Sequence, residues 1–247
     1  LNHVEHTQLQ GQFAFADNRI VLLDGLPPLE AAGGTLNFSE SALSIPRAAG
    51  RWLGEPFALE AKTVRGQGVH FKVDGGARLA TLQTLGLPLS GHLAGAVKWQ
   101  AKLALNDRKM RLDLDSSLAG LSSSLPAPFN KRAEERWPLT FSLDLDGKGR
   151  ESLRAEVPGR LALTLDWRNQ DGVRTLLRGG LGLDAPPRAM EGGLRLNARL
   201  DVLDVDAWQA AFDAADEASQ RDADAGQAAA GMRLPVREAS VQARRLN

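Results

Sequence analysis

The chain carries four histidines and no cysteine, so metal or nucleophile chemistry would have to come from His, Ser and carboxylate groups. His3 and His6 stand at H-x-x-H spacing, but there is no H-E-x-x-H pattern, and the pair reads as part of a frayed terminus rather than a zinc site. His70 and His92 are isolated and read as residues of a polar face or core edge. Asp144 and Asp146 lead into Gly147 like the start of a calcium loop, yet Lys148 and Ala155 occupy positions where that loop needs acidic oxygens. A solvated strand face and turn is the simpler reading. Gly66-Gln67-Gly68 runs on to Phe71 where a dinucleotide fingerprint requires a third glycine, and no βαβ unit surrounds it. Ser122, Ser123 and Ser124 have no His placed near them by local sequence, and no G-x-S-x-G elbow exists. No catalytic residue, no metal and no cofactor is expected, and an enzyme is not the reading.

With its chemistry this sparse, the chain has to be read through its apolar pattern. It is 247 residues long, 43% hydrophobic and formally neutral, with 30 Lys plus Arg against 30 Asp plus Glu. That balance supplies no basic field for non-specific nucleic-acid binding. The lack of cysteine excludes disulfides and thiolate metal sites and is compatible with an oxidising compartment. No stretch approaches the roughly 18 to 20 apolar residues of a membrane span. The start at Leu1-Asn2-His3, without Met or a leader, reads as a piece of something longer.

Most of the chain alternates apolar and polar residues with period two, the mark of strands with one apolar face. Residues 9 to 23 read as two strands, followed by a turn around Asp24-Gly25 and Pro27-Pro28. Short strands follow over 35–39, 42–45, 57–63 and 69–73, separated by Gly33-Gly34, Pro46, Gly50, Gly54-Glu55-Pro56 and Gly66-Gln67-Gly68. Leu79, Leu82 and Leu85 at three-residue spacing before Gly86 predict a short helix over 77–85. The most regular alternation comes next. Val97, Trp99, Ala101, Leu103 and Leu105 lie on one face of a strand, opposite Lys98, Gln100 and Lys102. Leu112, Leu114 and Leu118 continue it, opposite Arg111 and Asp113.

The same code returns in Leu139, Phe141, Leu143 and Leu145, in Leu161, Leu163, Leu165 and Trp167, in Leu177, Leu181 and Leu183, and in Leu194, Leu196, Ala198, Leu200 and Val202. Runs of eight to ten residues give strands of roughly 26 to 33 Å, longer than usual. Asp206 is expected to cap a second helix with Gln209 in a capping box, and Trp208, Ala211, Phe212 and Ala215 on one face. Residues 213–231, rich in Ala and Asp, read as a mobile loop. Leu234 to Asn247 reads as one more strand, paired with something outside this chain. The expected fold is mainly β: long, twisted antiparallel sheet curved into a groove or open sandwich, with two short helices.

Between these strand runs lies Gly120-Leu121-Ser122-Ser123-Ser124-Leu125-Pro126-Ala127-Pro128-Phe129-Asn130-Lys131, followed by Trp137-Pro138-Leu139. This stretch resembles the G-L-x-S-x-L-P-x-P-F-x-K segment of the YhdP family. Gly34 to Phe38 with Gly50 to Pro56, and Leu203 to Trp208, also resemble that family, so that the likeness spans most of the chain. One departure is Arg132, where the family pattern leads to the expectation of proline, and it bears on local loop geometry.

The resemblance implies a segment of a large AsmA-like protein of the Gram-negative envelope. Such a protein is periplasmic, tethered to the inner membrane by an anchor outside these 247 residues, and similar in fold to bridge-like lipid transfer proteins. It further implies that phospholipid acyl chains, together with the rest of the full-length chain, are the partners, and that phospholipid moves between inner and outer membranes along an apolar β groove. The groove candidates are Val97, Trp99, Leu103, Leu112, Leu114, Leu139, Phe141, Leu143, Leu161, Leu163, Leu165, Leu194 and Leu196. The residues alone leave two alternatives open. An apolar β face is also the ordinary core of a closed sandwich, here a scaffold or interaction module. An outer-membrane barrel segment is weakened by zero Tyr and 5% aromatic content.

Overall fold

The computed structural model describes residues 9–21, 27–83, 90–170, 172–224 and 236–246. His3, His6, the Asp24-Gly25 turn, the Leu85-Gly86 helix stop and residues 225–231 of the expected loop lie outside these. The strands are β1 (Gln10–Ile20), β2 (Leu29–Ser39), β3 (Leu43–Trp52), β4 (Glu55–Val64), β5 (Gly68–Arg78), β6 (Leu93–Asn106), β7 (Lys109–Ser116), β8 (Leu121–Ser123), β9 (Leu139–Leu145), β10 (Arg150–Val157), β11 (Leu161–Gln170), β12 (Val173–Leu183), β13 (Met190–Glu191), β14 (Leu194–Leu203) and β15 (Val236–Leu246). Helix α1 spans Leu79–Gln83, a 3₁₀ turn spans Ser90–His92, and α2 spans Val205–Asp224.

All the strands belong to one sheet, in the order β1-β2-β3-β4-β5-β6-β7-β9-β10-β11-β12-β14-β15, with β8 beside β6 and β13 beside β12. The path does not return on itself. A closed sandwich would need a second sheet, and the described residues form a single one, so that alternative does not describe this fold. The pairings from β1 to β12 are antiparallel, as the alternation with short turns predicts. Two pairings depart from the all-antiparallel expectation: β12 with β14, and β14 with β15, are parallel. Strand alternation carries no direction, whereas the connection through Asp184 to Gly193 returns the chain to the start of β14 alongside β12. The expectation that the last strand pairs outside the chain is likewise corrected, since β15 lies against β14.

Several boundaries differ from the sequence reading. Residues 10–20 form one strand, not two. β3 runs through Pro46 and Gly50, because the ladder with β4 shifts register between Ile45 and Ala48; a bulge tolerates a residue with no N–H to donate. β10, whose apolar positions Leu153, Ala155 and Val157 are diluted by Ala, was not distinguished in the alternation. In β12 a register shift against β11 sets Trp167 opposite Leu176, so Leu177 falls out of line with Leu181 and Leu183.

Helix α2 begins earlier and ends later than expected. Its cap is Asp204, whose Oδ1 accepts the Ala207 N–H at 2.9 Å and whose carbonyl accepts from Trp208 N–H at 3.1 Å. Asp206 lies inside the first turn, so the Gln209 capping box does not form. The helix continues through Asp224, across the first half of the stretch read as a mobile loop; alanine's high helix propensity carries it where apolar periodicity is missing.

The central loop folds back onto the sheet. β8 pairs with the start of β6, Leu121 opposite Gly95. This return is possible because Gly95 and Gly120 both have positive φ and lie so close that a Cβ on either would run into backbone carbonyl oxygen, that of Gly120 or Ala96 respectively. Lys131 staples the loop. Its buried Nζ donates to the carbonyls of Leu121 at 2.8 Å, Glu135 at 2.7 Å and Arg132 at 3.2 Å, and stands over the Trp137 ring. Burial, only partly offset by Glu135 and Glu134, pulls its pKa below the ordinary lysine value.

Candidate functional site

Because opposite residues on paired strands share a face, the registers decide whether the thirteen groove candidates, spread over five strands, make one surface or several. They make one. Leu103 lies opposite Leu112, Leu112 opposite Leu143, Leu143 opposite Leu153 and Leu153 opposite Leu165. The neighbouring row runs Ala101, Leu114, Phe141, Ala155, Leu163, Leu181, Leu196. A third aligns Trp99 with Leu139 through Ser116, and a fourth segment aligns Leu161 with Leu183 and Ala198. Val97 and Leu194 join the same face opposite Ala77 and Gly179. Every groove candidate therefore stands on one side of the sheet.

The face also takes in residues that the sequence reading left out. Phe71 and Val73 extend it across β5, and Leu153, Ala155 and Val157 across β10. At the two edges it is open to solvent: Phe13 is 59% exposed on β1 and Val236 58% on β15. The period-two pattern of β10 was readable in principle; membership of β1 and β15 depends on pairing over distances that the pattern does not encode.

Burial varies along this surface. Leu165, Trp167 and Leu194 are only 2%, 4% and 4% exposed, and the side chains packed against them, Leu153, Leu163, Leu176 and Leu181, come from the same face of β10, β11 and β12. These side chains enclose one another along neighbouring strands, with no second sheet over them among the described residues. The remaining candidates Leu103, Leu112, Leu114, Leu139, Phe141, Leu143, Leu161, Leu163 and Leu196 are half-buried.

One end of the apolar face is covered. Leu53, Leu79 of α1 and Leu121 of the central loop pack on Ala77, Val97, Trp99 and Ala101, and Trp52 meets Trp99 edge to face at 5.8 Å. Beyond them Phe129 of the loop packs edge to face on Trp208 of α2, and His92 bridges Ser124 Oγ and the Ala211 carbonyl. At the far end of β10 to β12 the apolar face stops at a polar group: buried Glu151 is paired with Arg174 and accepts from Asn169. Arg174 also covers the Trp167 ring. The charge is thus neutralised where it borders the hydrocarbon wall.

The opposite face is polar. Arg111 holds Asp113 at 2.9 Å and Asp144 at 3.1 Å, which keeps its guanidinium firmly protonated, and Ser152 donates to Asp166. Asp146 serves the β9–β10 turn: it accepts the N–H groups of Lys148 at 2.7 Å and Arg150 at 3.0 Å, bonds that depress its pKa. Among the described residues no group of three or more His, Asp or Glu is placed to hold a metal ion, and no helix is long and apolar enough to cross a membrane.

A single open sheet with one polar and one continuous apolar face is an amphipathic wall, a class in which the functional surface is a face and not a pocket. The chain belongs to the YhdP family: the family model described as YhdP protein matches residues 1–247. This is a family of envelope proteins and not of enzymes. No curated protein and no solved structure matches the chain.

Proposed function

We propose that the apolar face is a wall along which phospholipid acyl chains bind and slide, making the chain a segment of a bridge that carries phospholipid between the inner and outer membranes. The observation that carries this reading is the alignment, row by row across β5 to β14, of Leu, Val, Phe and Trp on one face of a single sheet that is covered only toward one end. Withdrawing a CH₂ from water is worth about 0.8 kcal/mol, so a tail of about sixteen carbons costs on the order of 12 kcal/mol to carry unshielded across an aqueous gap. A continuous apolar wall removes most of that barrier and needs no catalytic group; the headgroup stays in water beyond the rim. Periplasmic location, an inner-membrane tether and the remainder of the full-length chain complete the reading.

The test is mass spectrometry of organic extracts from the purified chain, expressed in a bacterial envelope, against a mock purification. Stoichiometric phospholipid, with photo-crosslinks from Phe141, Leu163 and Leu196, is the expected result. Lipid at mock level from a folded protein removes the acyl-binding reading for this segment.

A further inference from the structure

The polar face holds a second surface, with chemistry of its own. A hollow of about 580 Å³ lies over β3 to β7 and is lined by Lys62, Lys72, Lys102, Arg111, Glu60 and Asp113, among others. Lys72 on β5 and Lys102 on β6 stand directly opposite one another, a like-charge placement that costs stability in a sheet. Lys62 on β4 lies one row along, opposite His70. Among the described residues none of these three lysines forms an ion pair. The two acids of the hollow flank the lysine pair without pairing with it: Asp113, opposite Lys102 in register, is held by Arg111 at 2.9 Å, and Glu60, opposite Lys72 in register, makes no ion pair with it.

We propose that this hollow binds a phosphate group, with Lys62, Lys72 and Lys102 as its ammonium donors. Three ammonium groups without an ion pair, carried on three adjacent strands whose backbones lie about 4.8 Å apart, suit a compact anion with several acceptor oxygens and close to two negative charges. A singly charged, planar carboxylate would leave the opposed lysine pair half neutralised. The hollow is on the side of the sheet away from the apolar wall, so the proposal does not rest on the lipid reading. A lipid lying along that wall cannot place its own phosphate there.

The experiment compares melting midpoints of the intact chain in inorganic phosphate and in sodium chloride at equal ionic strength, for the wild type and for Lys72→Gln/Lys102→Gln. The wild type is expected to melt ~2–4 °C higher in phosphate. The variant, relieved of the opposed charges, melts in chloride at or above the wild type and loses the phosphate increment. Flotation with phosphatidylglycerol vesicles separates the sources: flotation that the double substitution abolishes assigns the phosphate to a headgroup presented from a membrane, and a phosphate increment without flotation assigns it to a soluble phosphate. Equal increments in wild type and variant, or no difference between phosphate and chloride, overturn the site.

Discussion

Replacing Leu163 by arginine separates a one-layer wall from a packed core more sharply than any truncation. Leu163 lies between Ala155 and Leu181 on the apolar face and is half-buried. Fully burying a leucine is worth about 1.5–3 kcal/mol, so losing the half-buried side chain costs about 1–1.5 kcal/mol. An arginine here lays its stem on the neighbours and lifts its guanidinium into solvent. For a chain of this size each kcal/mol shifts the melt by ~2–4 °C, which puts the expected fall at ~2–6 °C with cooperativity kept. Under a second layer the same charge would be buried unpaired, at a cost of ~3–5 kcal/mol or more.

Lipid occupancy responds the other way. Displacing two methylenes from the wall costs about 1.6 kcal/mol, roughly tenfold in occupancy. The assay is circular-dichroism melting paired with lipid extraction of the same preparation. Leu165→Ala serves as the contrast, because Leu165 is enclosed by its neighbours and its truncation costs ~2–5 kcal/mol. A Leu163→Arg protein without a cooperative melt, or one that retains full lipid, refutes the reasoning.

Two further outcomes follow from the loop and turn. Lys131→Met leaves the Leu121, Arg132 and Glu135 carbonyls without their shared donor and is expected to lower stability by about 2–4 kcal/mol; an unchanged urea midpoint would show the staple to be dispensable. Asp146 has a depressed folded pKa, so its contribution is present above the ordinary aspartate value of about 3.8 and fades as pH falls through the lower folded value. Asp146→Asn should therefore reduce stability near neutrality and flatten the acid limb of a stability profile below about pH 4; parallel profiles for the two proteins count against the turn role.

The apolar face was legible strand by strand, because a period of two places Leu161, Leu163 and Leu165 on one side whatever the strand pairs with. Helix ends were less legible. Two aspartates two residues apart, Asp204 and Asp206, both suit a cap, and the choice fell to the one directly after β14. The reach of α2 to Asp224 was hidden because alanine propensity, not amphipathic pattern, extends it.

The sequence by itself determined that this is a β protein with amphipathic strands, little material for chemistry and the marks of the YhdP family. Only the tertiary structure decided that those strands form one open sheet, that the last pairings are parallel, and that α1, the central loop and α2 cover one end of the apolar face. The physical reason is that alternation specifies sidedness within a strand and nothing about its neighbour. A closed sandwich and an open wall share the same binary code, and the choice between them lies in which strands hydrogen-bond to which: here each strand of the path is laid beside the one before it, around the short β8 and β13, into one sheet.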